Sequence, residues 1–316
     1  MTLKYFIFLC SSLVLLGTTQ VFADNSATSL KILSLNFNSE TRNVHLRDRR
    51  LALFEDYVKA ESPDIMFFQE AWDYRGEPSV VRVLARDLGY DLFYQIENGV
   101  TGYLMSSTAI MTKKDLQFTN GVRMKLPHSA INLGNGQTSW VGFGSITMLV
   151  GGEIKLRNGQ RATIWDTHLN GGTDKKNLDQ VVKAYEVMKS YCEANGMDWD
   201  STPTILAGDF NSVPESKTIQ YVQNVAGFED VWVKAHGDDL GVTFAGDFNR
   251  LDYNPVVHGA KQIPNQYDGP HDYVRFDYTF FRGAPQYSVG STKIFTKPLD
   301  HIWMSDHYGL LTQIHI

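Results

Sequence analysis

Residues 203–214 read Pro-Thr-Ile-Leu-Ala-Gly-Asp-Phe-Asn-Ser-Val-Pro. The apolar run from Thr204 to Ala207 is too short for a helix and has the make-up of a buried strand, bounded by Pro203 and Gly208. It delivers a carboxylate, Asp209, and an amide, Asn211, at one end. The same construction recurs along the chain. A strand from Lys31 to Phe37 brings Asn36 and Asn38 to its end, and one from Asp64 to Gln69 leads into Glu70. The stretch Arg161 to His168 closes on His168. Asp277 opens a strand running to Phe281, while Asp306 and His307 precede a last strand from Gly309 to Ile316. Further strands are expected from Tyr90 to Gln95, Thr108 to Thr112 and Gly142 to Val150.

Two helices interleave with them. Leu51, Phe54, Tyr57 and Val58 recur at helical spacing and stop before Pro63. Leu178, Val181, Val182, Tyr185, Met188 and Cys192 form a second apolar stripe, closed by Asn195-Gly196. Strands mixed with helices predict an α/β layered fold with mixed sheets. No linker divides residues 28–316, so one domain is expected over 24–316. In such folds, strand ends are where sites assemble.

The chain has 316 residues, 43% of them hydrophobic and 20% charged, which excludes disordered, collagenous and disulfide-dense classes. A formal charge of -6 speaks against a protein that grips nucleic acid by bulk charge. Residues 1–23 open with Met1-Thr-Leu-Lys4, continue through an apolar core from Tyr5 to Gly17 and exit at Val21-Phe22-Ala23. This is the pattern of a secretory signal peptide cut after Ala23, and its core is shorter than the ~20 residues of a membrane span. Export to the periplasm or beyond is therefore expected, with no transmembrane anchor and no partner subunit. Cleavage would remove Cys10 and leave Cys192 alone, without an internal disulfide and at a packing position on its helix.

The polar groups suit hydrolysis at phosphorus. A phosphoester is anionic and repels hydroxide, so a hard divalent cation is needed, and Mg²⁺ prefers carboxylate, amide and water oxygens. Glu70 and Asp306 supply carboxylates, and Asn36 a neutral oxygen. A histidine backed by a carboxylate can take the proton of attacking water. Asn211 and a protonated His168 can donate to the phosphate oxygens where charge develops. Gly-Asp-Phe-Asn occurs again at 246–249, in a polar stretch with Thr243 and Asp252 that reads as a loop.

Taken in order, Leu-Asn-Phe-Asn, Phe-Gln-Glu, Asp-Thr-His-Leu, Gly-Asp-Phe-Asn, Arg-Phe-Asp-Tyr and Ser-Asp-His-Tyr resemble the endonuclease/exonuclease/phosphatase superfamily. That superfamily includes pancreatic-type deoxyribonucleases, apurinic endonucleases, inositol-polyphosphate phosphatases and neutral sphingomyelinases. The resemblance runs from Lys31 to Ile316. It implies a four-layer α/β sandwich, two central mixed sheets faced by helices, with the site at one end. It also implies Mg²⁺, with Mn²⁺ as substitute, held mainly by Glu70 with Asn36 and Asp306. Asp209 would orient or deprotonate the water, and Asn211 would contact the phosphate. His307, paired with Asp277, would be general base or act on the transition state, and His168 would assist at the phosphate or leaving group. Asn38 stands where apurinic endonucleases carry an acid, which sets the chain apart from that branch.

Among substrates, a phospholipid head group, as in bacterial neutral sphingomyelinases, is expected first. A nuclease comes second, a phosphomonoesterase on an inositol phosphate third and an inert binding module last. Trp140 and Phe143 are candidate membrane contacts or ordinary strand aromatics. Arg42, Arg47, Arg49, Arg50, Arg75 and Arg82 are candidates for a nucleic-acid rim, although a solvated helix face is the default for those near residue 50.

Overall fold

A computed structural model of the chain describes residues 28–37, 44–74, 79–97, 104–128, 147–170, 173–244, 274–297, 299–300 and 302–316. The leader-like residues 1–23, Asn38, Trp140, Phe143 and the second Gly-Asp-Phe-Asn lie outside them.

Among the described residues the strands form two six-stranded mixed sheets. The first contains β1 (Ser29–Asn36), β2 (Ile65–Tyr74), β3 (Asp91–Glu97), β4 (Leu104–Thr112), β11 (Ser288–Ile294) and β12 (Gly309–His315), in the order β11-β12-β1-β2-β4-β3. The second contains β5 (Thr119–Lys125), β6 (Met148–Lys155), β7 (Arg161–His168), β8 (Thr204–Asp209), β9 (Glu229–Asp230) and β10 (Asp277–Arg282), in the order β5-β6-β7-β8-β10-β9. Each sheet has one parallel pair at its heart, β1 with β2 and β7 with β8. Each pair is joined through a long helix, α1 (Val44–Glu61) or α3 (Asp174–Ala194), since parallel strands need a crossover.

The core divides into three apolar gaps, which makes the molecule a four-layer α/β sandwich as expected. Phe54 and Val58 of α1 and Val81 and Leu84 of α2 (Val80–Leu88) pack on Leu33, Leu35, Met66 and Phe68. On the far side, Val181, Ala184 and Met188 of α3 and Ile219 and Val222 of α4 (Lys217–Asn224) cover Trp165, Leu206, Tyr278 and Phe280. Between the sheets lie Ile32, Ile65, Phe67, Ile164, Ile205, Ala207, Phe281 and Ile314. Cys192 is fully buried in the outer helix layer, where burial pushes its thiol up to about 11, so it packs rather than reacts.

Strand alternation explains how this core becomes a site. Ile32, Ile65, Ile164 and Ile205 face the gap between the sheets, and so do residues two and four positions further on. Toward one end of β1, β2, β7 and β8 those positions change from apolar to Ser34 and Asn36, Gln69, Asp166 and His168, and Asp209. The middle gap is therefore dry at one end and polar at the other.

Several expectations are corrected. The second strand does not stop at Gln69 but runs to Tyr74 through a bulge between Phe68 and Ala71. The last strand ends at His315, and β6 is described only from Met148. Edge strands β5, β9 and β11 and helices α2, α4 and α5 (Val231–His236) come in addition. Arg50 is not on a solvated face: it is fully buried and donates to the carbonyls of Phe37, at 2.5 Å, and Met304.

Candidate active site

Register sets three groups side by side. His168 at the end of β7 is aligned with Asp209 of β8, and Asp209 with Asp277 at the start of β10. From the facing sheet, Asn36 donates Nδ2 to Asp209 Oδ2 at 2.9 Å and, more weakly, to Glu70 Oε1 at 3.3 Å. His168 Nε2 stands 3.8 Å from both Glu70 Oε1 and Asp209 Oδ2. His307 Nδ1 is 2.8 Å from Asp277 Oδ2, and its Nε2 is 3.9 Å from Asp209 Oδ2. Asn36, Glu70, His168, Asp209, Asp277 and His307 thus converge from both sheets, although up to 271 positions separate them. The Glu70 side chain is 28% exposed and that of Asp209 only 2%, so the cluster opens to solvent on the Glu70 side.

Glu70 reaches the cluster because β2 breaks its alternation. After Phe67 and Gln69, regular pleating would turn Glu70 outward beneath α1 and α2. Instead Glu70 takes a left-handed conformation, φ 49°, and Ala71 fills the outward position. A bulge of this kind re-aims one side chain at a strain that non-glycine residues ordinarily avoid. Asn211 is also left-handed, φ 45°. Its backbone N–H donates to Asp209 Oδ1 at 2.8 Å, and its Nδ2 donates to the Leu169 carbonyl at 3.0 Å. That anchors its amide at the end of β7, beside the cluster.

Asp306 is adjacent, its Oδ1 3.2 Å from Ser305 Oγ. Ser305 donates its hydroxyl proton to the Asn36 carbonyl, the shorter contact at 2.6 Å, and accepts from the His307 N–H at 3.0 Å, locking the loop before β12 onto the end of β1. Thr243, read from sequence as part of a polar loop, is fully buried. Its Oγ1 accepts from the backbone N–H groups of Phe276 and Asp277, and the Phe244 ring lies 5.0 Å from that of His307. Sequence reasoning did not single out these supports. A serine inside Ser-Asp-His was the one available signal.

The electrostatics are those of crowded acids. Burial, and then the charge of Asp277, push Asp209 up to about 6 against the opposing pull of His307 and His168. Burial raises Asp306 as well, with Glu70 adding to it. Burial disfavours a charged imidazole at His307, yet Asp277, by charge and hydrogen bond, outweighs it and lifts His307 well above its usual value. Asp209, Asp277 and His307 offer ligand atoms within 4.8 Å of one another. His307 and Asp277, however, are in direct hydrogen-bond contact, the geometry of an acid–base pair rather than of a cation nest.

No family model and no curated protein matches the chain. Solved structures do. Danio rerio TDP2 complexed with single-strand DNA product is 21% identical, with 91% of this chain and 99% of that one covered at a TM-score of 0.63. The human Nocturnin catalytic domain with bound sulfate anion is 14% identical, with 91% and 93% covered at 0.64. An endonuclease/exonuclease/phosphatase family protein from Bacteroides thetaiotaomicron is 17% identical, with 92% and 96% covered at 0.63. The likeness establishes the fold over nearly the whole chain.

Proposed function

We propose that the chain is a divalent-metal-dependent phosphodiester hydrolase, in which water attacks phosphorus at the mouth of the gap between the sheets. The observation that carries this reading is the convergence of Asn36, Glu70, His168, Asp209 and the His307–Asp277 pair from six strand ends and loops. The donors suit a hard cation. They are carboxylate and amide oxygens, and Asp209 and Asp306 are both raised by burial, with the neighbouring charges of Asp277 and Glu70 respectively adding to it, a crowding that a positive charge would relieve. Glu70 would hold Mg²⁺ or Mn²⁺ with Asn36 and Asp306. When bound, the ion neutralises phosphate charge and polarises the P–O bond. The chain's own groups do the rest. Asp209 or His307 takes the proton of the attacking water, and Asp277 holds the His307 ring. His168, through a ring N–H, and Asn211 donate to the phosphate oxygens.

For the substrate, a nucleic acid strand is favoured by one surface feature. Arg82 donates Nε to Tyr94 Oη at 2.6 Å with its guanidinium 5.3 Å from that ring. Arg123 donates Nε to the Tyr94 carbonyl at 2.7 Å and lies 3.8 Å over Phe93. Both are exposed, and among the described residues neither is ion-paired. Tyr94 is in register, through Ala109, with Phe68, two positions before Glu70. Two exposed arginines held at the Tyr94 edge, two strands across the sheet from β2, suit phosphates flanking a scissile one, and a structural neighbour is complexed with single-strand DNA product. The phospholipid head group is the second reading, supported by Ser305-Asp-His-Tyr308 and by the signal-peptide pattern of residues 1–23. A side-by-side assay of DNA, sphingomyelin and inositol phosphates with Mg²⁺ tests this. Cleavage of DNA that weakens with salt and in Arg82→Ala/Arg123→Ala supports the strand, sphingomyelin turnover alone supports the second reading, and no turnover of any of them contradicts both.

A further inference from the structure

One layer beneath the site, Gln69 Nε2 donates to Asp166 Oδ1 at 2.5 Å. Both residues are fully buried. Gln69 belongs to the first sheet and Asp166 to the second, so this bond crosses the gap where apolar packing gives way to the polar end. Gln69 immediately precedes Glu70, and Asp166 precedes His168 by two residues, on the same face of β7. The Gln69 Oε1 makes no hydrogen bond among the described residues, so its link to Asp166 is what directs the amide.

We propose that Gln69 and Asp166 are positioning residues: their bond pins the backbone just before the Glu70 bulge to the strand that carries His168. The inference rests on the reading of Glu70 as a metal ligand. Two arguments support it. Burying an amide against a carboxylate is poor value for stability alone, because apolar side chains fill such a gap without desolvation loss. The bulge also holds Glu70 in a left-handed conformation, from which relaxation to regular pleating would turn the carboxylate outward, away from Asn36 and His168. A tether at the preceding residue, anchored across the gap, opposes that relaxation and sets the spacing between the two sheets' contributions.

Titration calorimetry with Mn²⁺, needing no substrate, tests this. Folded Gln69→Leu should bind Mn²⁺ about 10-fold or more weakly, the loss typical when a residue that orients a ligand is removed. Gln69→Glu should bind more weakly still, since two carboxylates would then meet. Adding Asp166→Asn to Gln69→Glu recreates one donor and one acceptor in reversed order, and should recover most of the affinity and the fold. A purely structural role would lower the melting temperature but leave the affinity of the folded protein unchanged. Parent-like binding by Gln69→Leu, or no recovery in the double variant, overturns the proposal. Glu70→Gln separates the two levels: parent-like binding there contradicts the functional reading itself, whereas weak binding there with parent-like Gln69→Leu contradicts only the positioning role.

Discussion

His307 presents Nδ1 to Asp277 Oδ2 at 2.8 Å, which turns its Nε2 toward Asp209 Oδ2, 3.9 Å away. In the neutral ring the proton then sits on Nδ1, and Nε2 is the free acceptor facing the cluster. The pair fixes both the tautomer and the direction of the ring.

A base must be neutral to act, and Asp277 raises His307, so activity should fall away on the acidic side at a pH set by this pair. Asp277→Asn removes the partner that favours the charged ring. The acidic limb of kcat/KM should move to lower pH, while kcat drops by about 100-fold or more as the ring loses its tautomer and aim. A folded Asp277→Asn protein with an unmoved limb would remove the pair from the mechanism.

The two copies of Gly-Asp-Phe-Asn separate function from resemblance. Asp209 is buried between Asn36, His168 and His307, so Asp209→Ala should lose about 100-fold or more in kcat. Asp247→Ala should stay near the parent. Steady-state kinetics of the two variants give the answer, and a reversed outcome would misplace the site.

Gly208 has φ +138°, and a Cβ there would lie 1.9 Å from the Thr167 carbonyl oxygen. No side chain fits without parting β7 from β8, the parallel pair that aligns His168 with Asp209. Gly208→Ala should therefore lower the melting temperature and cost activity together. A Gly208→Ala protein as stable as the parent would contradict the register.

Strand ends were the legible part of this molecule. β7 begins and ends where its sequence says, and Asn36, Glu70, His168, Asp209, Asp277 and His307 do meet. What escaped has physical reasons. β5, with Thr119-Asn-Gly, and β11, with Ser288-Val-Gly-Ser, are half-exposed edge strands and lack the apolar run that betrays a buried one. Arg50 lies in a run of charges that reads as solvated, and only the Phe37 and Met304 carbonyls reveal its burial. The Glu70 bulge leaves no mark on hydrophobic alternation before Ala71. Gln69 and Asp166 are 97 positions apart and meet only across two sheets.

Asp64 supplies a stability test away from the site. Burial would raise its carboxyl, but Arg157 at 2.7 Å, the Lys31 N–H at 2.8 Å and Lys113 at 3.0 Å outweigh that and hold it below its usual value. A lowered native pKa stabilises the fold above the unfolded value of about 3.9 and is lost as pH falls through the native one. Asp64→Asn should cost about 1.5–3 kcal/mol at neutral pH, the scale of hydrogen bonds to a charged group. In denaturant titrations the gap to the parent should close in acid. A gap that stays constant with pH would mean the charge contributes nothing.

The central claim is that these residues hydrolyse phosphodiesters with a divalent cation. The most direct measurement is release of nitrophenol from bis(p-nitrophenyl) phosphate after exhaustive chelation and after Mg²⁺ or Mn²⁺ is returned, for the parent and for Glu70→Gln. We predict no turnover in the chelated parent, recovery with the metal, and little recovery in a folded Glu70→Gln. Undiminished hydrolysis after chelation, or a Glu70→Gln protein as active as the parent, would contradict it.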